Sequence, residues 1–137
     1  MVRIKLDTDS MRFVALFENI TGAIVKDCIV SVNKVVFIVK EGQAGLAIGK
    51  AGVNVVSLQK KLRKRIEIIE FSNDPLKFAA NLFHPAELSK SYVSENSSGK
   101  KILYLNPKSD RGLVRSKLRY ALDIIQRYHH IDTIKLG

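Results

Sequence analysis

One order of elements is written twice along this chain of 137 residues, and an internal repeat constrains a fold more tightly than any single segment does. After the capping-type cluster Asp7-Thr8-Asp9-Ser10, the residues Met11, Val14, Ala15, Phe17 and Ile20 recur at three- and four-residue steps until Thr21-Gly22. That spacing predicts a first helix. Residues 23–33 and 34–40 are rich in Val and Ile, with Cys28, Val30 and Val32 alternating against polar neighbours and Asn33-Lys34 at the bend, so they read as a β-hairpin. A glycine-punctuated stretch, 41–52, leads into a helix with Val55, Leu58 and Leu62 on one face, followed by a strand over 65–71 and the loop 72–75. The second half repeats the order: helix 76–83, strand 87–95, turn 96–99, strand 101–105, a short segment 108–111, a helix with Leu118, Leu122 and Ile125 on one face, and a strand over 131–136. Local matches tie the halves together. Gly45-Leu46 with Lys50 corresponds to Gly112-Leu113 with Lys117 at an offset of 67, and Arg65-Ile66-Glu67 corresponds to His130-Ile131-Asp132 at an offset of 65.

Two pieces of this size sit near the lower limit at which a core stabilises itself. Each carries the same charge: 12 basic and 7 acidic residues up to Ser72, then 11 and 6 after it, a net +5 on either side. The basic excess is therefore a property of both copies, and a folded chain this basic most often meets a polyanion. The alternative is one α+β domain whose halves resemble each other by chance. The longest unbroken apolar run is 35–39, far short of the about 20 residues a membrane span requires. Charges recur from Arg3 through Glu18, leaving no apolar signal region, so a cytoplasmic location without membrane contact is expected. The single Cys28 excludes an internal disulfide and a cysteine-based zinc cage, and with three histidines no structural metal is expected.

Gly49-Lys50-Ala51-Gly52 falls between two short helical patterns. Glycine supplies the tight turn and removes the Cβ that would keep a phosphate from the main chain. A helix beginning at about Val53 adds free N–H groups and the positive end of its dipole at the same place. Lys50 contributes a side-chain cation, and Ile48 and Val55 are candidates for the floor of an apolar groove. In the run 60–65, Lys60, Lys61, Arg63, Lys64 and Arg65 crowd the end of that helix. Dipole compensation accounts for one or two cations at a helix C-terminus, not five without an acid, so Lys60, Lys61 and Lys64 are expected to attract phosphates. The ten aromatic residues fall mostly at helix or strand spacing and read as core, which disfavours recognition by aromatic stacking. At the matching place in the second half the chain reads Ser116-Lys117-Leu118-Arg119, with both glycines gone. The helix there is expected to run unbroken over about 113–128, leaving Arg115, Lys117 and Arg119 as a secondary basic surface.

The doubled order, the segment Gly45-Leu46-Ala47-Ile48-Gly49-Lys50-Ala51-Gly52-Val53-Asn54-Val55 and the joining Phe71-Ser72-Asn73-Asp74-Pro75 resemble the short archaeal NusA-type transcription factors, over essentially the whole chain. The resemblance implies an α+β fold of two tandem type II KH domains, each α-β-β-α-α-β with a three-stranded sheet packed by helices. The first would span 1–72 with an intact G-x-x-G, and the second 73–137 with a degenerate one. It also implies single-stranded RNA binding in transcription elongation, pausing, termination or antitermination. The expected partners are single-stranded RNA and RNA polymerase, the expected state is a monomer, and neither cofactor nor catalytic residue is implied.

Two alternatives remain. A KH-type factor in ribosome assembly or rRNA processing would need the same clamp. A nucleotide hydrolase using a phosphate loop would need Gly five positions before the Gly-Lys pair and Ser or Thr after it, where the chain has Ala44 and Ala51. Lacking that hydroxyl, the loop has no magnesium-binding part, and His129-His130 sits at a predicted helix end, where cationic residues are expected anyway.

Overall fold

A computed structural model describes residues 8–137; Asp7 of the expected cap and the rest of the N-terminal stretch read for a signal lie outside the described residues. The described chain divides into two compact units, 8–71 and 72–137. No described helix is long and apolar enough to cross a membrane.

In the first unit the order is α1 (Thr8–Thr21), β1 (Val25–Val30), β2 (Lys34–Val39), α2 (Ala44–Ile48), α3 (Val53–Leu62) and β3 (Arg65–Glu70). The sheet order is β1-β2-β3, with β1 antiparallel to β2 and β2 parallel to β3. Phe37 lies beside Cys28 on one side and Ile68 on the other. The central strand is buried on both faces from Val35 to Val39, which explains why its sequence is a continuous apolar run rather than an alternating one. One face carries the core in which Phe17 of α1, Ala47 of α2 and Leu58 of α3 meet Val35, Phe37 and Val39. The rings of Phe17 and Phe37 stack there at 4.1 Å. Thr21 and Gly22 end α1 as their chemistry requires. The Thr21 hydroxyl donates to the Phe17 carbonyl at 2.8 Å and accepts from the Ala23 N–H at 3.0 Å, while Gly22 adopts φ 75°, the left-handed conformation in which helices commonly terminate.

The second unit contains α4 (Pro75–Phe83), β4 (Tyr92–Glu95), β5 (Lys101–Leu105), α5 (Arg111–Ile125) and β6 (Thr133–Leu136). Asp74 caps α4 by accepting from the Leu76 N–H at 2.9 Å, with Pro75 at the first helical position. The sheet order β4-β5-β6 repeats the antiparallel and parallel pairing of the first unit. Leu103 and Leu105 are buried, as are Phe78 and Phe83 of α4 and Val114, Ala121 and Ile124 of α5.

Three expectations are corrected here. The order α-β-β-α-α-β describes the first unit, but the second runs α-β-β-α-β, because Ser116 and Arg119 stand where the first unit has the two glycines of its turn, nothing there breaks the helix, and residues 111–125 form one piece. The strand expected over 87–95 is confined to Tyr92–Glu95. Residues 87–89 instead make isolated contacts, a Leu88 to Pro107 bridge and the Ser89 N–H on the Asn106 carbonyl at 2.7 Å, since Pro107 has no N–H with which to continue a ladder. The last strand begins at Thr133 rather than at Ile131.

Replacing Phe17 by Ala removes one of the largest fully buried side chains, and should destabilise the first unit by about 3–5 kcal/mol. Urea denaturation followed by far-ultraviolet circular dichroism measures this, and a loss below about 1 kcal/mol would contradict the core described here.

Candidate nucleic-acid interface

The reversal between α2 and α3 is made by backbone conformations that L side chains rarely adopt. Gly49 has φ 79° and ψ 167°, a region open almost only to glycine. Lys50 to Gly52 form a single 3-10 turn, with Gly52 at φ 73° and its N–H on the Gly49 carbonyl at 3.0 Å. Ala51 is held at φ 55° and ψ 26°, left-handed for a residue with a Cβ, at a cost of roughly 1–2 kcal/mol. The two glycines have different reasons. A Cβ on Gly49 would lie 2.8 Å from the side-chain nitrogen of Asn54, which reaches back to donate to the Leu46 carbonyl at 3.2 Å and so ties α3 to α2. A Cβ on Gly52 would meet nothing within 4 Å, so its surface is open to an approaching group.

The turn is anchored from the sheet. Glu70 at the end of β3 accepts from the Ala44 N–H at 3.1 Å at the start of α2, and Gln43 accepts from the Ile24 N–H at 2.6 Å. The N–H groups of Lys50 and Ala51 donate no hydrogen bond to any described residue, and α3 begins at Gly52 with no side-chain cap. Lys50 is exposed and has no ion pair among the described residues. Unpaired donors, the positive end of a ten-residue helix and a free ammonium thus converge on one open surface, an arrangement that suits an anion.

The flanking side chains divide. Ile48 is 40% exposed, and Leu46, Val53 and Val56 are exposed with it, whereas Val55 is half-buried. Val53 and Val56 were not anticipated as surface residues, although both lie off the face marked by Val55, Leu58 and Leu62. Lys60 and Lys61 are exposed at the far end of α3, about 11–12 Å along the axis from its first residue at 1.5 Å per residue. Lys64 is engaged by the protein itself, its ammonium donating to the Ser31 carbonyl at 2.8 Å. Arg63, Lys64 and Arg65 line, with Val32, Asn33 and Gln59, an open depression of about 550 Å³ beside the β1–β2 turn. The basic run is therefore a separate surface from the glycine turn.

In the second unit the helix start is closed. Asp110, at φ 47°, places its carboxylate on the Leu113 N–H at 3.2 Å. Arg115 and Arg119 are exposed on α5. Lys117 is not a solvated cation, because its ammonium lies 3.3 Å from both the Leu82 and His84 carbonyls and caps the C-terminal end of α4. His129, at the helix end noted in the sequence, binds the Ser72 carbonyl through its ring at 2.8 Å and packs on Phe78.

Residues 14–83, which include the whole turn, match the KH domain family. The chain is 37% identical to the probable transcription termination protein NusA of Methanocaldococcus jannaschii, over 99% of this chain and 76% of that protein. It is 31% identical to the protein of the same name from Halococcus morrhuae, over 99% of this chain and the whole of that one. A solved crystal structure superposes on 96% of the chain with a TM-score of 0.75 and 27% identity. The chain belongs to the KH-domain proteins of the archaeal NusA type.

Proposed function

We propose that the chain is a non-catalytic factor that binds single-stranded RNA and acts in transcription, at elongation, pausing or termination. The observation that carries this reading is the Gly49–Gly52 turn, with its open surface at Gly52, its unpaired N–H groups and Lys50. Phosphates would meet the backbone there, while bases lie along the exposed aliphatic residues Leu46, Ile48, Val53 and Val56. No bond is made or broken. A clamp that accepts only unpaired nucleotides competes with base pairing for the same stretch of RNA. The names of the relatives, probable transcription termination proteins, support transcription as the process.

The finer reading is of two tandem type II KH units. The first, 1–72, carries the clamp. The second, 73–137, repeats the strand order and pairing but has lost the helix break. A cytoplasmic monomer that contacts RNA polymerase completes the proposal. Cross-linking in cells followed by sequencing of bound RNA, with a parallel pull-down for polymerase, should recover nascent transcripts and polymerase together. Recovery of pre-rRNA alone would move the protein to ribosome assembly.

Changing Lys50 and Ala51 together to Asp places two carboxylates at the phosphate site. It leaves the backbone tolerable, since Asp visits the left-handed region at Ala51 more readily than Ala does. The expected result is an unchanged thermal midpoint and a loss of affinity for short single-stranded RNA of tenfold or more, given that a hydrogen bond to a charged group contributes about 1.5–3 kcal/mol. Undiminished affinity by fluorescence anisotropy would sink the clamp. Salt dependence isolates Lys50: the Lys50→Ala variant should flatten the slope of log affinity against log salt by about 0.7, the value for one phosphate of a single strand.

A further inference from the structure

All four tyrosines, Tyr92, Tyr104, Tyr120 and Tyr128, fall in the second unit, and two of them stand side by side on its sheet. Tyr92 on β4 and Tyr104 on β5 are register partners, and their rings stack with centroids 4.9 Å apart and planes 19° from parallel. Lys135 on β6 is the register neighbour of Tyr104. Side chains alternate along a strand, so Tyr92, Tyr104 and Lys135 form one row across the sheet, on the face opposite the buried Leu103 and Leu105. Tyr92 is 55% exposed on an edge strand. The pair adjoins an open cavity of about 260 Å³ lined by Lys90, Tyr92, Tyr104, Leu105, Asn106 and Gly137. This is below the roughly 300–1,000 Å³ that encloses a whole drug-sized ligand, and it suits one ring system.

Cross-strand packing accounts for the inner contact between the rings but not for the chemistry around the outer one. Lys90 is exposed and lines the same cavity as Tyr92, and the side-chain amide of Asn106 makes no hydrogen bond to any described residue. The alternation of β4 puts Glu95 on the other face with Val93, so no strand carboxylate shares the tyrosine face. A flat ring surface, a free donor–acceptor amide and flanking cations match a flat ligand with a polar edge and an anionic backbone.

We propose that Tyr92 and Tyr104 form a base-stacking platform, on which an unpaired RNA base extends the tyrosine stack by one ring while Asn106 meets the base edge and Lys90 or Lys135 a neighbouring phosphate. The inference rests on the RNA-binding reading above and adds a second contact surface. The second unit then engages RNA through its sheet rather than through the turn it lacks. Such stacking is tolerant of sequence, because every base has a π-face.

The full chain is titrated against a fluorescein-labelled single-stranded RNA of about 20 nucleotides, several times the four that one clamp holds. The proteins compared are the natural sequence, Tyr92→Leu, Tyr92→Phe and the Lys50→Asp/Ala51→Asp variant. Tyr92→Leu keeps an apolar strand residue but removes the ring, and should weaken binding about tenfold, within the range measured for stacking aromatics. Tyr92→Phe should bind as the natural chain does. In the unsubstituted protein the ring resonances of Tyr92 and Tyr104 should shift on adding RNA, a measurement that no folding defect can imitate. Binding by Tyr92→Leu equal to the natural chain, with unshifted resonances and a clamp variant that has lost affinity, would overturn the platform and leave the clamp standing. Absence of RNA binding by the natural chain would remove both. Unaltered RNA binding with weakened self-association of Tyr92→Leu, by light scattering, would assign the face to a protein contact and overturn the platform.

Discussion

Positive φ at three of four consecutive residues, Gly49, Ala51 and Gly52, is the constraint on which the first unit's surface depends. No regular helix survives that run, so the chain between β2 and β3 becomes two helices, and the second must start without a side-chain acceptor for its first N–H groups. Asn54 then closes the turn from inside α3, filling the space a Cβ on Gly49 would take. Glu70 fixes the other end by holding the first N–H of α2. The sheet therefore sets where the turn stands, and the turn sets where an anion could touch the backbone. The second unit makes the same point by its absence, since a separate sheet of the same order and pairing carries an unbroken α5.

The +10 charge is distributed less freely than the count suggests. A lysine near unmatched carbonyls becomes part of the scaffold. Lys64 holds the β1–β2 turn through Ser31, Lys117 holds the end of α4 through Leu82 and His84, and Lys34 pairs with Glu67 at 2.8 Å. What separates these from Lys50, Lys60, Lys61, Arg115 and Arg119 is not the residue type but the proximity of an acceptor. A helix C-terminus leaves several carbonyls unsatisfied, and a long flexible ammonium nearby will find them.

This distinction explains what the sequence could and could not reveal. The glycine turn was legible because its cause is local: a Gly-x-x-Gly between helical patterns has few conformations to adopt. The unbroken second helix was legible for the same reason, by the loss of those glycines. Its cap was also within reach, since Asp110 is a preferred N-cap residue type immediately before the helix. The commitments of Lys64 and Lys117 were not legible, because their acceptors lie 33 residues or more away along the chain. The tyrosine row was hidden differently. Spacing assigned the aromatics to the core, whereas the register fixed by the 96–99 turn sets Tyr92 opposite Tyr104 on the face away from Leu103 and Leu105.

The two helix starts show one electrostatic resource used in two ways. A helix N-terminus presents about half a positive charge, and a nearby anion gains typically 0.3–1 kcal/mol from it. In α5 the Asp110 carboxylate takes that gain permanently, within the chain. In α3 the place is left to glycine, and the turn that exposes it holds Ala51 in a conformation costing roughly 1–2 kcal/mol. A sequence selected only for stability would favour the first arrangement over the second. The strain at Ala51 and the open N-terminus beside it are reconciled if the anion that completes the first unit comes from outside the chain. Because such an anion binds only where the turn is formed, its occupancy and the stability of the turn rise together. The same reasoning sets the second unit apart: with the Asp110 carboxylate on the Leu113 N–H, the start of α5 already holds an anion of its own chain.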